Sequence, residues 1–163
     1  MIETVILYIL NKYDASIYKV SKIINELFFA YLKSSLGTIS PALKRLEKLS
    51  CVEFVETMSD GGLKTKKYSI TKIGKNHLKK LLLSWNNNHP FYIITEAKIA
   101  IFMRDVLNSE EKNEFNKNIQ NQLELYKIKM QNNINNEYLN MNDTQKATIQ
   151  TTIDEINGIL KLL

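Results

Sequence analysis

The sequence predicts a mainly α-helical protein with one small β-hairpin, built as an amino-terminal head followed by a helical tail. Three observations carry this. Apolar residues recur at helical spacing through most of the chain, two short β-rich runs flank a glycine turn, and basic charge is concentrated in the first half.

Residues 2–13 place Ile2, Val5, Ile6, Ile9 and Leu10 on one helical face, and Tyr13-Asp14-Ala15 breaks the pattern. Ser16 is the expected N-cap of a second helix with Ile17, Val20, Ile23, Ile24 and Leu27 on its inner side. Ser34, Ser35 and Gly37 mark the next break. A third helix follows through Ile39, Ala42, Leu43, Leu46 and Leu49. Pro41 is tolerated near a first turn, where its missing N–H costs nothing, so the expected start lies close to Thr38.

Two β-like runs come next, Val52–Glu56 and Lys67–Ile70. Between them Ser59-Asp60-Gly61-Gly62 signals a turn, followed by the basic stretch Lys64-Thr65-Lys66-Lys67. Thr71 caps a fourth helix through Ile73, Leu78, Leu81 and Leu82 to about Trp85. The polar, proline-ended segment Asn86–Pro90 is the expected boundary, separating a domain at 1–85 from one at 90–163.

Beyond it everything reads as helix. Ile93–Val106 has a stripe of Ile94, Ala97, Ile101 and Phe102, and Ser109 with Glu110 and Glu111 marks a start with acids at the favourable dipole end. From there Phe115, Ile119, Leu123, Tyr126, Met130 and Ile134 form a narrow stripe. A last helix from Asp143 shows Ile149, Ile153, Ile156, Leu160 and Leu163. Such stripes need a partner helix, so the tail predicts an antiparallel pair or an exchange between chains.

Composition removes several classes. The chain has 163 residues, 44% of them hydrophobic, with two prolines and five glycines, which excludes collagen-like, loop-rich and disordered architectures. One cysteine allows no internal disulfide and no thiolate metal cluster, and suits a reducing, cytoplasmic compartment. No run approaches ~18 apolar residues, so no membrane span is expected. In MIETVILYIL, Glu3 stands where a secretory signal needs positive charge.

Charge is divided unevenly. Residues 1–83 carry 14 Lys/Arg against 7 Asp/Glu, whereas residues 84–163 carry 8 against 10. A basic head suits a polyanion, although a solvated charged face would have the same composition. Three helices followed by a basic hairpin is the layout of a winged helix-turn-helix. In that arrangement the third helix enters the major groove of duplex DNA and the wing follows the backbone. Thr38, Ser40, Lys44, Arg45 and Lys48 lie off the apolar stripe of the third helix, and Lys64, Lys66 and Lys67 lie in the wing. Hydroxyls near a helix N-terminus suit phosphate oxygens, but Ser34, Ser35 and Thr38 also suit simple capping. Lys48 reads better as a solvated or paired side chain.

Leu36-Gly37-Thr38-Ile39-Ser40-Pro41-Ala42-Leu43-Lys44-Arg45-Leu46-Glu47 resembles the recognition-helix signature of PadR-family transcriptional regulators, YGTIYPALKRLE, at ten of twelve positions. Ser16-Ile17-Tyr18-Lys19-Val20 is similar to the family's HGYEI segment. Gly61-Gly62, Lys66-Lys67-Tyr68-Ser69-Ile70-Thr71 and Gly74 resemble its wing and wing exit. The resemblance covers about half the chain. It implies a dimeric repressor on a pseudo-palindromic operator, dimerised through the carboxy-terminal helices. It also implies that Tyr18 touches the DNA backbone, that Ser34, Ser35, Thr38, Ser40 and Lys44 sit at the groove, and that Lys64 and Lys66 act from the wing. Leu36 and Ser40 replace the two signature tyrosines, and Ile17 replaces the small residue before Tyr18, so the operator sequence need not be shared.

A two-fold dimer would set two such helices ~34 Å apart, one DNA turn. Trp85, Phe91, Tyr92, Phe102, Met103, Tyr126 and Met130 are candidates for a small-molecule effector pocket, or for core and dimer-interface packing. His77 and His89 lack metal-ligand spacing, with His77 expected to face solvent, and no metal or cofactor is expected. Cys51 reads as a buried inert thiol, with redox sensing the alternative. No phosphate loop, nucleophile elbow or paired acids are present, so the expectation is not an enzyme. Repression would work by occlusion of a promoter, with a signal altering the spacing of the two heads. The rival readings are a plasmid or phage partition or replication adaptor on the same fold, and a protein-interaction module using the basic face.

Overall fold

The computed structural model describes residues 1–58, 62–87 and 89–163. The chain divides into two compact units, Met1–Ser84 and Trp85–Leu163.

The first unit is built around helix α1 (Ile2–Lys12). The sequence implies one apolar face, but every residue from Thr4 to Leu10 is buried. The reason is that α1 is covered by three helices and a strand of the same unit, and a helix apolar on all sides belongs in an interior. Helix α2 (Ile17–Leu27) begins as expected, with the Ser16 hydroxyl accepting from Lys19 N–H at 3.3 Å. Its inner face is narrower than expected. Val20 and Ile24 are buried, Leu27 is exposed, and Phe28 just beyond the helix fills the space instead. A buried phenylalanine of this kind contributes about 1.5–3 kcal/mol.

Helix α3 (Leu36–Lys48) starts two residues before the position inferred from Pro41. Thr38 and Ile39 both donate to the Ser35 carbonyl at 3.0 Å, closing a tight first turn. Pro41 therefore sits inside the helix, where its missing N–H forfeits one bond to the carbonyl of Gly37. Four inward residues, Ile39, Ala42, Leu43 and Leu46, offset that loss. Leu49, expected on the same stripe, is exposed.

Strands β2 (Val52–Met58) and β3 (Lys64–Ile70) pair antiparallel from Val52 opposite Ile70 to Met58 opposite Lys64. Both are longer than expected, and Lys64-Thr65-Lys66, which precede the expected strand Lys67–Ile70, belong to β3. Of the expected turn, Ser59, Asp60 and Gly61 lie outside the described residues, while Gly62 takes a φ of 75°. A two-residue strand β1 (Ala15–Ser16) adds to the sheet, Ala15 opposite Tyr68 and Ser16 opposite Lys67, in the order β1-β3-β2. It has no periodicity by which sequence could reveal it. Helix α4 (Lys72–Leu83) starts at the expected cap, Thr71, whose hydroxyl accepts from Gly74 N–H at 3.0 Å. Mainly helical, with a three-stranded sheet and this element order, the fold is a winged helix.

In the second unit the helix expected over 93–106 is α5 (Ile93–Phe102) followed by a separate 3-10 turn, Arg104–Val106. Its buried residues are Ile93, Ala97, Ile99 and Ala100, and Phe102 is exposed, so the expected stripe is rotated. Helix α6 (Ser109–Ile134) is capped by Asn108 and not by Ser109. Asn108 and Glu111 form a reciprocal capping box with bonds of 2.9 and 2.8 Å. Phe115, Ile119 and Leu123 of its stripe are buried. Helix α7 (Asp143–Leu160) buries Ile153, Ile156 and Ile159. Asn116 donates to the Leu163 carbonyl at 2.8 Å and Lys127 to Asn157 at 3.3 Å, so α7 returns antiparallel along α6. Asn88, within the expected boundary segment, lies outside the described residues.

Candidate nucleic-acid interface

Helix α2 begins where β1 ends, so its first turn is held beside β3 by the Ser16–Lys67 pairing. That first turn presents Tyr18, 65% exposed, with Lys19 and, one turn later, Lys22. Lys22 contacts the exposed Glu26 at 3.9 Å, too weakly to hold its charge. Ser16, Tyr18, Lys19 and Lys22 line an open concavity of about 720 Å³ with Leu63, Lys64 and Thr65 of the wing. Three lysines and a phenol therefore converge there. Lys19 and Lys22 escaped sequence reasoning; their spacing of one turn beside Tyr18 was the available signal.

On α3 the exposed side carries Ser35, Thr38, Lys44 and Lys48, with Ser40 half-buried. Ser35 occupies the N-cap position, but its side chain makes no capping bond to the helix backbone. Its hydroxyl lies 3.2 Å from that of Thr38, leaving a pair of hydroxyls at the exposed end of α3. Arg45 donates to Glu3 of α1 at 2.5 Å, so its guanidinium fastens α3 to the core.

One candidate is placed differently from expectation. Ser34 is 7% exposed, with its main chain bracketed by Asn25, so its hydroxyl faces the interior and not a groove. Strand alternation divides the wing lysines. Lys64 and Lys66 share a face with Met58, Glu56 and Phe54, whereas Lys67 stands opposite Val55 on the other face. The Lys66 ammonium also lies 3.5 Å from the centroid of the Phe54 ring, a cation–π contact that fixes it close to the sheet.

The aromatic candidates of the second unit are dispersed by environment. Trp85 and Met103 are buried, Tyr126 and Met130 are half-buried, and Tyr92 and Phe102 are exposed, as is Phe91 at 83%. Asn118 and Gln122 donate to the Trp85 carbonyl at 2.8 and 2.7 Å, and Tyr126 donates to that of Pro90 at 3.2 Å. Phe102 lines a cavity of about 540 Å³ with polar residues such as Arg104, Lys112 and Asn116. His89 stacks at a tilt on Tyr92, 4.8 Å between centroids, and His77 is half-buried where a solvent-facing side chain was expected. Cys51 is buried, and burial, then the charge of Glu3, pushes its thiol pKa up, against thiolate reactivity. Among the described residues no cluster of three His, Cys, Asp or Glu could hold a metal ion. No described helix is long and apolar enough to cross a membrane.

Residues 6–80 match the model of the transcriptional regulator PadR-like family. A PadR-like transcriptional regulator from Bacillus cereus is 34% identical over 51% of this chain and 79% of its own, with a TM-score of 0.44. A PadR family transcription regulator from Clostridium difficile is 30% identical over 52% and 85%, with a TM-score of 0.45. Bacillus subtilis PadR, in complex with operator DNA, is 18% identical over 98% and 92%, with a TM-score of 0.49. No curated protein matches significantly. The family model runs from within α1 to within α4 and includes the signature on α3, and with a relative 34% identical over 79% of its own length the chain belongs to the PadR-like family of transcriptional regulators.

Proposed function

We propose that this protein is a cytoplasmic, homodimeric repressor that binds a pseudo-palindromic operator through its first unit and dimerises through its second. The observation that carries the reading is the concavity between α2 and the wing, where Tyr18, Lys19, Lys22 and Lys64 meet. A curved basic surface of that kind suits the phosphate backbone, which supplies affinity without sequence information. Ser35, Thr38, Ser40 and Lys44 on α3 then supply the contacts to bases and adjacent phosphates. Lys66 supports the wing, and Lys67 shares the sheet face of Ser16 and Thr65, which line the concavity. Occupying a promoter excludes polymerase, and the exposed aromatics of the second unit serve the dimer interface.

The test is titration of labelled duplexes at several salt concentrations. Lys64→Ala with Lys66→Ala lowers affinity for every duplex about equally and flattens the salt slope by about 1, the share of Lys64. Thr38→Ala or Lys44→Ala lowers affinity for a selected site more than for random sequence. Unchanged affinity in all three variants overturns the reading. Footprints over tandem sites, in place of one short palindrome, favour an assembling partition adaptor.

A further inference from the structure

Helix α2 ends at Leu27 and α3 begins at Leu36, so residues 28–35 join them. A helix-turn-helix ordinarily uses about 3–4 residues there. A longer connection leaves the entry of the second helix loosely defined unless something else sets it. Phe28 anchors the start, with Tyr31 and Leu32 both donating to its carbonyl at 2.8 Å.

The other end is held by one side chain. Asn25 of α2 accepts from Ser34 N–H at 3.0 Å through Oδ1 and donates to the Ser34 carbonyl at 3.1 Å through Nδ2. The carboxamide thus pairs with both main-chain groups of one residue, as a neighbouring strand would. Reversing the amide would set donor against donor, so a single orientation is selected. Ser34 is buried and directly precedes Ser35, the N-cap of α3. The clasp therefore fixes where α3 begins, and with it the Ser35–Thr38 hydroxyl pair. At the other end of α3, Arg45 is fastened to Glu3.

We propose that Asn25 is a positioning residue that determines specificity. By holding Ser34 it places the amino-terminal turn of α3 for base reading, while touching no DNA itself. This rests on the reading of α3 as the element that enters the groove. A misplaced α3 loses base contacts, which depend on geometry to a fraction of an ångström, before it loses phosphate contacts, which do not.

The experiment uses the full chain, a duplex selected by the wild type from a random pool, and a random-sequence duplex of equal length. Asn25→Asp keeps the size and the acceptor but sets a carboxylate against the Ser34 carbonyl, and Asn25→Ala removes both bonds. Each is expected to lose about tenfold or more for the selected duplex, to stay within about twofold for the random one, and to keep the wild-type salt slope. Circular dichroism and urea midpoints show whether each variant is folded. Folded variants that discriminate like wild type, or lose both affinities in parallel, overturn the proposal. So do two variants unfolded at 25 °C, since Asn25 would then be a folding residue only. A wild type that selects no duplex overturns the DNA-binding reading itself, and the proposal with it.

Discussion

The Tyr68 hydroxyl of β3 lies within reach of the Glu47 carboxylate in the last turns of α3, coupling the wing to the helix proposed to enter the groove. Burial first, then the neighbouring Glu47 carboxylate, push the Tyr68 pKa up to about 12. An unfolded tyrosine titrates near ~10. The folded state thus holds this proton more tightly. Its contribution is complete below pH ~10 and is lost as pH rises through about 12. Urea midpoints between pH 9 and pH 12 should fall more steeply for wild type than for Tyr68→Phe. The difference should be worth about 2 kcal/mol. Equal pH dependence in the two proteins, or a Tyr68 ring signal titrating near 10, would contradict the contact.

Two glycines predict opposite signs for one substitution. A Cβ on Gly74 would lie 2.0 Å from the Cys51 carbonyl oxygen, because the first turn of α4 rests directly on the start of β2. Nothing lies within 4 Å of a Cβ on Gly158 in α7. Helix propensity alone favours alanine by about 1 kcal/mol at either place. At Gly158 that gain stands, so Gly158→Ala raises the urea midpoint. At Gly74 backbone must move, and Gly74→Ala is destabilising by about 1–3 kcal/mol.

What was legible in the sequence was local. Ser16 and Thr71 cap helices through bonds to residues three positions on, and a residue type with its spacing reveals such bonds. At 108–109 two capping residues stand side by side, and only the reciprocal bond with Glu111 chooses Asn108. Ser34 looked like a groove hydroxyl because its partner, Asn25, lies nine residues away. The division of Lys67 from Lys64 and Lys66 needed the true length of β3, which a lysine-rich strand conceals by lacking apolar alternation. For α3, Pro41 forfeits one backbone bond, but four buried side chains outweigh that loss and let the helix begin at Leu36.

Ser50 takes a φ of 53° where α3 ends. Its N–H donates to Glu47 O at 2.9 Å and Cys51 N–H donates to Leu46 O at 2.9 Å, the paired bonds of a Schellman motif. That position favours glycine, since a side chain there costs about 1 kcal/mol. Ser50→Gly should therefore stabilise the protein by roughly that amount, less the added freedom of the unfolded chain. The Ser50 carbonyl, which accepts from Thr71 at 2.7 Å, is retained. A lowered thermal midpoint would show that the serine hydroxyl has a role of its own.

Helix α6 bears a second, exposed apolar strip. Leu125 is 62% exposed and Ile128 47%, one turn apart, while Ile119 and Leu123 of the same helix are buried. Single exposed aliphatic residues are ordinary, but two in register on a long helix, in a unit that also exposes Phe91, Tyr92 and Phe102, suit the face that meets a second copy. Leu125→Glu with Ile128→Glu should then halve the mass measured by sedimentation while leaving helix content unchanged. Operator affinity should fall by about 100-fold or more, since two linked heads bind far more tightly than one. Affinity for an isolated half-site should not change. A double variant that still sediments as a dimer would move the interface to another face of the second unit.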